Sequence, residues 1–367
     1  MPSKAPLFST THLGALPLAN RFAVAPMTRV SASEEGFPTE KMAHYYERFA
    51  KGGFALLITE GLYTDQHHAQ GYRCQPGLSD DIQALAWQGF VQRLHAAGTK
   101  VFAQLMHAGA LNQGNRFVAD TLAPSSIQPK GEQMGFYYGK GKYPVPTQAS
   151  DAQIADAIDG FARSARLATE VAGFDGVEIH GANGYLIDQF LTPYSNTRTD
   201  RWGGPLQNRL RLMLEVVQAV KRSVVDGAPV GIRISQGKVN DFHHKWPEAE
   251  HAAHVIFEAL AQAGVNYIHV TEFQAWQPAF EGGSATLAQL AIRYAPDIPI
   301  IVNGSLHELG RSVQLINQGA SMVAIGRGAL ANPDLPRRAC QGEALDDFDP
   351  AILGPIADIK ATELDCG

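Results

Sequence analysis

The chain has 367 residues, a mass of 39.6 kDa, a hydrophobic fraction of 45%, a formal net charge of −6 and a pI near 6.1. That is apolar material for a sizeable core in one large α/β domain or two ordinary ones, and it carries no basic footprint for nucleic acid. No apolar run reaches membrane-spanning length, and Met1 to Asn20 lack the charged-then-apolar order of a secretory leader, which excludes a membrane partner from the expectation. Cys74, Cys340 and Cys366 are odd in number, widely spaced and without a C-x-x-C pair. A reduced, cytoplasmic protein without a structural zinc or iron–sulfur site is expected.

In chain order, residues 21–29 contain a short apolar strand ending in Pro26-Met27-Thr28, and Thr39 caps a helix to about residue 50. Gly52-Gly53 stop it before a buried-looking strand at 54–59. A helix over 82–96 closes at Gly98, and 101–105 is the third strand. An amphipathic helix from about 151 to 171, with Ile154, Ile158, Phe161, Ala165 and Leu167 on its apolar side, leads to the fourth. There Val177 and Ile179 read as core positions, and a Gly-punctuated turn follows with His180, Asn183 and Tyr185.

The alternation continues with a helix at 206–225, a strand at 229–234, a helix from Pro247 to Gly264 and a strand at 267–270. A helix at 287–294, a strand at 299–302, a helix at 307–319 and a strand at 322–325 complete it. Eight short strands, apolar on both faces and alternating with helices, describe an α/β (β/α)8 TIM barrel rather than an open sheet. No composition shift divides the chain. We expect one domain over 1–367, with a core of about 5–340 and a tail of about 341–367. The stretch 111–149 exceeds a simple barrel loop and is rich in Gly, Pro and aromatics, so it is expected to form a lid after the third strand.

Such barrels gather function at the carboxyl ends of their strands. Pro26-Met27-Thr28, Thr59-Glu60-Gly61, Gln104, His180 with Asn183 and Tyr185, Arg233, Asn303-Gly304-Ser305 and Gly326-Arg327-Gly328 all fall there. Imidazole and carboxamide can donate to one oxygen while a phenol donates a proton nearby. The Gly-containing turns after the seventh and eighth strands, with Arg327 as a cation, imply a phosphorylated cofactor. The Gly-Lys-Gly-Lys run at 139–142 lacks phosphate-loop spacing. A flavin-free metal-dependent lyase on the same barrel would have to use His67-His68, His243-His244 or the run Glu248-x-Glu250-His251-x-x-His254, which reads better as the solvated face of an outer helix.

The motifs Ala25-Pro26-Met27-Thr28-Arg29, Ile58-Thr59-Glu60-Gly61, His180-Gly-Ala-Asn183-Gly-Tyr185-Leu-Ile-Asp-Gln-Phe-Leu191, Arg198-Thr-Asp-Arg-Trp-Gly-Gly204 and Gly326-Arg-Gly-Ala-Leu-Ala-Asn332-Pro-Asp-Leu-Pro336 resemble the old yellow enzyme family of FMN-dependent ene reductases, from about residue 5 to 340. The resemblance implies tightly bound, non-covalent FMN at the barrel mouth and NAD(P)H as a transient hydride donor. No G-x-G-x-x-G fingerprint is present, as suits a nicotinamide that only visits the flavin. Thr28 would bond the flavin carbonyl beside N5, Gln104 would face the pyrimidine edge, and Arg233 would lie near N1. Gly304 and the Gly326-Arg327 turn would take the phosphate, with Ala25, Pro26, Met27, Gly61 and Ser305 completing the cofactor set. An activated alkene or a nitro compound would be held by His180 and Asn183, with Tyr185 protonating its α-carbon, and no metal is implied.

Some features depart from the family pattern. Asn183 stands where many relatives carry a second His. Segments 236–246 and 272–283 match no family version, and Phe273, Trp276 and His243 are expected to shape the substrate pocket. Lys360 is the only basic residue after Arg338, so an arginine lent by a neighbouring subunit's tail is not expected, although the sequence leaves room for a homo-oligomer. The dienoyl-CoA reductase group of the same barrel, with its Cys-ligated cluster, is disfavoured by three scattered cysteines.

Overall fold

The computed structural model describes residues 4–364; Cys366 lies outside the described residues. Eight parallel strands close a barrel: β1 (Phe22–Val24), β2 (Leu56–Ile58), β3 (Lys100–Met106), β4 (Gly176–His180), β5 (Val230–Ser235), β6 (Tyr267–Thr271), β7 (Ile300–Asn303) and β8 (Met322–Ile325). Each pairs with its neighbour, β8 returns to β1 with Ile325 opposite Val24, and β2 pairs with β3, so no strand of the ring is left as an edge. Each strand lies where the sequence placed it. Around the ring run α1 (Glu40–Lys51), α2 (Asp81–Ala96), α3 (Asp151–Arg166), α4 (Arg211–Ser223), α5 (Glu250–Gln262), α6 (Leu287–Tyr294), α7 (Leu309–Asn317) and α8 (Leu335–Gln341).

Local chemistry sets the helix ends. The Thr39 hydroxyl accepts the Met42 N–H at 3.3 Å, and Ser150 with Gln153 and Thr286 with Gln289 form capping boxes that open α3 and α6. The helix expected over 151–171 is α-helical only to Arg166; Leu167–Ala172 continues it as a π-helical turn, closed by Gly173 at φ 85°. The helix expected from residue 206 is broken into Leu206–Arg209 and α4, and the one expected from Pro247 starts at Glu250 because Ala249 holds φ 51°.

The expectation of strands apolar on both faces needs correction. Outward residues such as Val177, Ile179, Ile232 and Ile234 join the shell packed under the helices. Inward residues divide by height. Low in the barrel, Leu56, Phe102, Tyr267, Ile301 and Met322 form a separate apolar layer that Leu13 and Leu18 pack against. Those leucines belong to an N-terminal hairpin, Thr11–Leu13 with Leu16–Leu18, which the sequence reading missed because each strand is only three residues long. Higher up, the inward positions of β3 to β6 are polar: Gln104, Glu178, His180, Arg233 and His269. The bottom is thus shut by hydrocarbon and the top is left for chemistry.

Two clamps attach the irregular segments. The excursion between β3 and α3 contains a small parallel pair, Leu122–Ala123 with Thr147–Gln148. Arg198 binds it by donating to the carbonyls of Pro124 and Ala149, and the Trp202 indole donates to Asp151 at 2.6 Å, which gives the Arg198–Gly204 motif a structural use. The C-terminal segment is held by Arg29, whose fully buried guanidinium meets Glu363 at 2.6 and 2.5 Å and donates to the carbonyls of Ala357 and Asp358. It also lies 4.9 Å from the Tyr45 ring centroid. Burial works against that charge, but Tyr45 and Glu363 outweigh it and hold the pKa above the usual arginine value.

Glu363→Ala should therefore cost about 3–5 kcal/mol in urea unfolding, because it strands a buried cation. A loss under about 1 kcal/mol, the value of a surface pair, would contradict this clamp.

Candidate active site

A cavity of about 570 Å3 opens at the carboxyl ends of the strands. Its walls include Ala25, Pro26, Met27 and Thr28 after β1, Gln104 in β3, His180, Asn183 and Tyr185 at β4, and Arg233 in β5. Gly304 and Ser305 after β7 and Gly326 and Arg327 after β8 complete the ring. Of the candidate cofactor and catalytic residues, Gly61 stands apart from the wall, as do its neighbours Thr59 and Glu60. Gly61 packs beneath Met106, whose Sδ would lie 2.5 Å from a Cβ at that position, and its carbonyl accepts from Gln75 at 2.7 Å. Phe273 reaches the cavity as expected, whereas Trp276 and His243 do not; Phe242 occupies the place given to His243. His67, His68 and the 248–254 run also lie off the cavity wall. Glu248 is used by Arg209, and Glu250 by Arg293 at 2.8 Å.

The floor is a buried polar network. Glu178 accepts from Gln104 Nε2 at 2.8 Å, from the Tyr267 hydroxyl at 3.2 Å and from His269 Nδ1 at 2.8 Å. Burial opposes its charge, but His269, Gln104 and the nearby Arg233 outweigh that and keep the carboxyl below the usual range. Burial holds His269 below its usual value, so we assign a neutral imidazole donating through Nδ1 and leave Arg233 as the balancing cation. Arg233, registered beside both His180 and His269, donates to Asn303 at 3.0 Å and Thr271 at 3.2 Å. Its buried Nε has no protein partner.

Above this floor His180 is 4% exposed and its Nδ1 is also without a protein partner. Burial first, then the Arg233 charge and His269, hold its pKa well below 6.5, so the ring is neutral at ordinary pH. The Tyr185 ring lies 4.9 Å from it, edge to face. Tyr185 and Tyr72 share a hydrogen bond between their hydroxyls, and burial pushes the Tyr185 phenol up to about 12. Asn183 sits at φ 63°, in the left-handed region asparagine tolerates. Three donors of different strength therefore border one volume: a neutral imidazole, a carboxamide and a phenol that stays protonated.

The opposite side is suited to an anion. Gly304 takes φ 145° and approaches the Glu272 carbonyl so closely that a Cβ would lie 2.2 Å from it. At Gly326 a Cβ would project beside Met27 and Ala25 with no atom nearer than 3.7 Å, so the missing side chain leaves cavity space free. Arg327 is exposed, lies 5.5 Å from the Phe273 ring centroid and has no ion pair among the described residues. The Arg327 guanidinium beside the open Gly326 turn, plus the unpartnered Arg233 Nε and His180 Nδ1 deeper in, fits a flat phosphorylated group with polar edges.

Fold and site together define a (β/α)8-barrel enzyme with a phosphate-ready turn pair and a His–Asn–Tyr donor set. A family profile described as NADH:flavin oxidoreductase / NADH oxidase matches residues 6–346. The chain belongs to that family, and is an oxidoreductase. It is 35% identical over 361 residues to a chanoclavine-I aldehyde reductase of Penicillium roqueforti, covering 95% of this chain and 92% of that one. It is 34% identical over 354 residues to a probable flavin mononucleotide-dependent alkene reductase of Leishmania infantum, covering 93% and 92%. The structure of the old yellow enzyme homologue from Zymomonas mobilis superposes with a TM-score of 0.86 at 29% identity and covers 98% of both chains. The chain spans about half (51%) of the NADH oxidase of Thermoanaerobacter brockii, which it matches at 30% identity.

Sequence reasoning missed several site residues. Met134, Phe348 and Leu353 on the cavity wall, and Tyr72 bonded to Tyr185, come from segments without regular periodicity, and only the fold brings them together. Glu178 was legible, since it alternates with Val177 and Ile179 and shares its face with His180. Glu60, which follows β2, is wholly buried with one carboxylate oxygen unpartnered. Burial pushes its carboxyl up to about 7, against the Arg29 and Val30 amides and the Arg29 charge.

An acid with a raised folded pKa favours folding fully below its unfolded value of about 4.3 and loses that contribution as pH rises through about 7. The stability difference between wild type and Glu60→Gln should therefore shift against wild type between those pH values. A pH-independent difference in chemical denaturation would contradict the assignment.

Proposed function

We propose that this chain is an ene reductase that holds FMN, takes reducing equivalents from NAD(P)H and adds hydride and a proton across an activated C=C bond. When bound, FMN supplies the hydride chemistry, accepting from the nicotinamide and delivering to the β-carbon of an enal, enone, imide or nitroalkene. Thr28, Gln104 and Arg233 are the residues that would hold its polar ring edges, with the 25–27 backbone beside them. Gly304, Ser305, Gly326 and Arg327 would hold its phosphate. A guanidinium at Arg233 favours negative charge on that edge, and a hydrogen bond to a charged group contributes about 1.5–3 kcal/mol.

His180 and Asn183 would both donate to the substrate oxygen. Two neutral donors stabilise charge that develops there without holding a substrate anion beforehand. Tyr185 would protonate the α-carbon. Its phenol, pushed up to about 12, keeps its proton at neutral pH and surrenders it only to a strong carbon base. Tyr72, hydrogen-bonded to it, is placed to return a proton afterwards. Nitro compounds are the second reading, since a nitro oxygen can take the same two donors.

The observation that carries the proposal is the convergence of His180, Asn183 and Tyr185 on one cavity that also receives the Gly326-Arg327 turn. Tyr185→Phe should leave NAD(P)H-driven bleaching of bound FMN within about twofold of wild type while slowing alkene-driven reoxidation by about 10²–10⁴-fold. Equal losses in the two half-reactions would refute the role. His180→Ala combined with Asn183→Ala should weaken phenol binding to the oxidised protein, read in the visible spectrum; an unchanged titration would remove both from the oxygen site.

A further inference from the structure

The loop after β5, residues 236–246, is one of the two segments that match no family version. It contains Lys238, whose ammonium is 2% exposed and meets both oxygens of Asp188, itself fully buried, at 2.7 Å. Asp188 lies in the short helix Leu186–Leu191 that follows Tyr185. The carboxylate has a further duty: its Oδ2 accepts the Gly184 N–H at 2.6 Å, and its Oδ1 the Thr192 hydroxyl at 3.3 Å. Gly184 is the residue between Asn183 and Tyr185.

The same loop holds the other side of that turn. The Asn183 N–H donates to the Ser235 hydroxyl at 2.8 Å, and the Asn183 carbonyl accepts the Val239 N–H at 3.1 Å. A Cβ on Gly184, which sits at φ 88°, would come within 3.1 Å of the Lys238 Cβ. Three consecutive polar backbone groups, from the Asn183 N–H to the Gly184 N–H, are thus fixed by the end of β5, its loop and the Lys238-anchored carboxylate. Val239 and Phe242 of this loop line the cavity. A lysine buried this deeply must be paired, and the pairing found here joins the two segments that carry the donors and the substrate wall.

We propose that Lys238 is a positioning residue: through Asp188 it locks the 183–185 turn, so that the Asn183 carboxamide and the Tyr185 hydroxyl address the same substrate. The inference rests on the ene-reductase reading above. Lys238 touches neither substrate nor cofactor. Its effect falls on the half-reaction that uses the turn, because misplacing a donor by about 1 Å can cost on the order of 100-fold in rate.

The test compares wild type, Lys238→Met and the paired change Lys238→Met with Asp188→Asn, each as FMN-loaded protein. The paired variant guards against failure to fold, since it leaves no unpaired buried charge, and an asparagine oxygen can still accept from Gly184. FMN content and NAD(P)H-driven bleaching should stay within about twofold, while 2-cyclohexenone-driven reoxidation falls about 10- to 100-fold. The Kd for 4-hydroxybenzaldehyde should rise in step. In FMN-free protein, amide exchange at Gly184 and Tyr185 should quicken at least about tenfold, with the amides of β3 and β5 unchanged.

A folded paired variant with wild-type reoxidation and phenol affinity overturns the proposal. So does exchange that quickens equally throughout the barrel, because the pair would then serve general stability. If wild type itself neither reoxidises with the enone nor binds the phenol, the ene-reductase reading fails instead, and the exchange pattern still decides whether the pair locks the turn.

Discussion

Glu178 lies wholly inside the barrel, and an ionised carboxylate there is tolerable only where donors converge on it. Gln104 reaches it from β3 and Tyr267 and His269 from β6, and Arg233 supplies the balancing charge from β5. Satisfying that one group fixes the rotamers of the residues that form the cavity floor. Arg233 Nε and His180 Nδ1, at the wall of the cavity, are left without protein partners. A carboxylate satisfied by its donors, beside neighbours that keep unpartnered polar atoms, is what allows a rigid floor to remain chemically available.

The apolar plug makes that arrangement possible. Leu13 and Leu18 of the N-terminal hairpin seal the bottom against Phe102, Tyr267 and Met322, so water has no route to the carboxylate from below. Above the floor, precision comes from segments without regular structure. The turn bearing Asn183 and Tyr185 is held by β5 and its loop, the long excursion is clamped by Arg198, and the C-terminal segment is anchored by Arg29, the residue next to Thr28. Phe348 and Leu353 of that segment then form part of the cavity wall. The segment after β1 thus organises the mouth by binding chain from more than 300 residues away.

Periodicity and turn chemistry were enough for the ring of strands and helices, because the strands are short, largely apolar runs and most are bounded by glycine or proline. The ring of candidate residues followed from their places at strand ends, and the structure gathers all but the Thr59-Glu60-Gly61 run at one cavity. What the sequence hid was non-local. The three-residue hairpin strands fall below any periodic signal, and the partnerships Tyr72–Tyr185, Lys238–Asp188 and Arg29–Glu363 span from 50 to 334 residues. The aromatic wall was misassigned by one position at Phe242, since loop residues have no alternation to say which side chain turns inward. Glu178 was overlooked although the sequence carries its signal: a charge alternating with Val177 and Ile179, on the face of His180, marks the inward side of a barrel strand.

Every role assigned at the barrel mouth requires a flavin in the cavity, so the decisive measurement is cofactor stoichiometry. Purified protein, stripped and then titrated with FMN, should bind close to one FMN per chain with the visible spectrum of a protein-bound flavin, and Arg327→Ala should weaken that binding. A protein that neither retains nor takes up FMN would contradict the account and leave the barrel mouth without its assigned occupant.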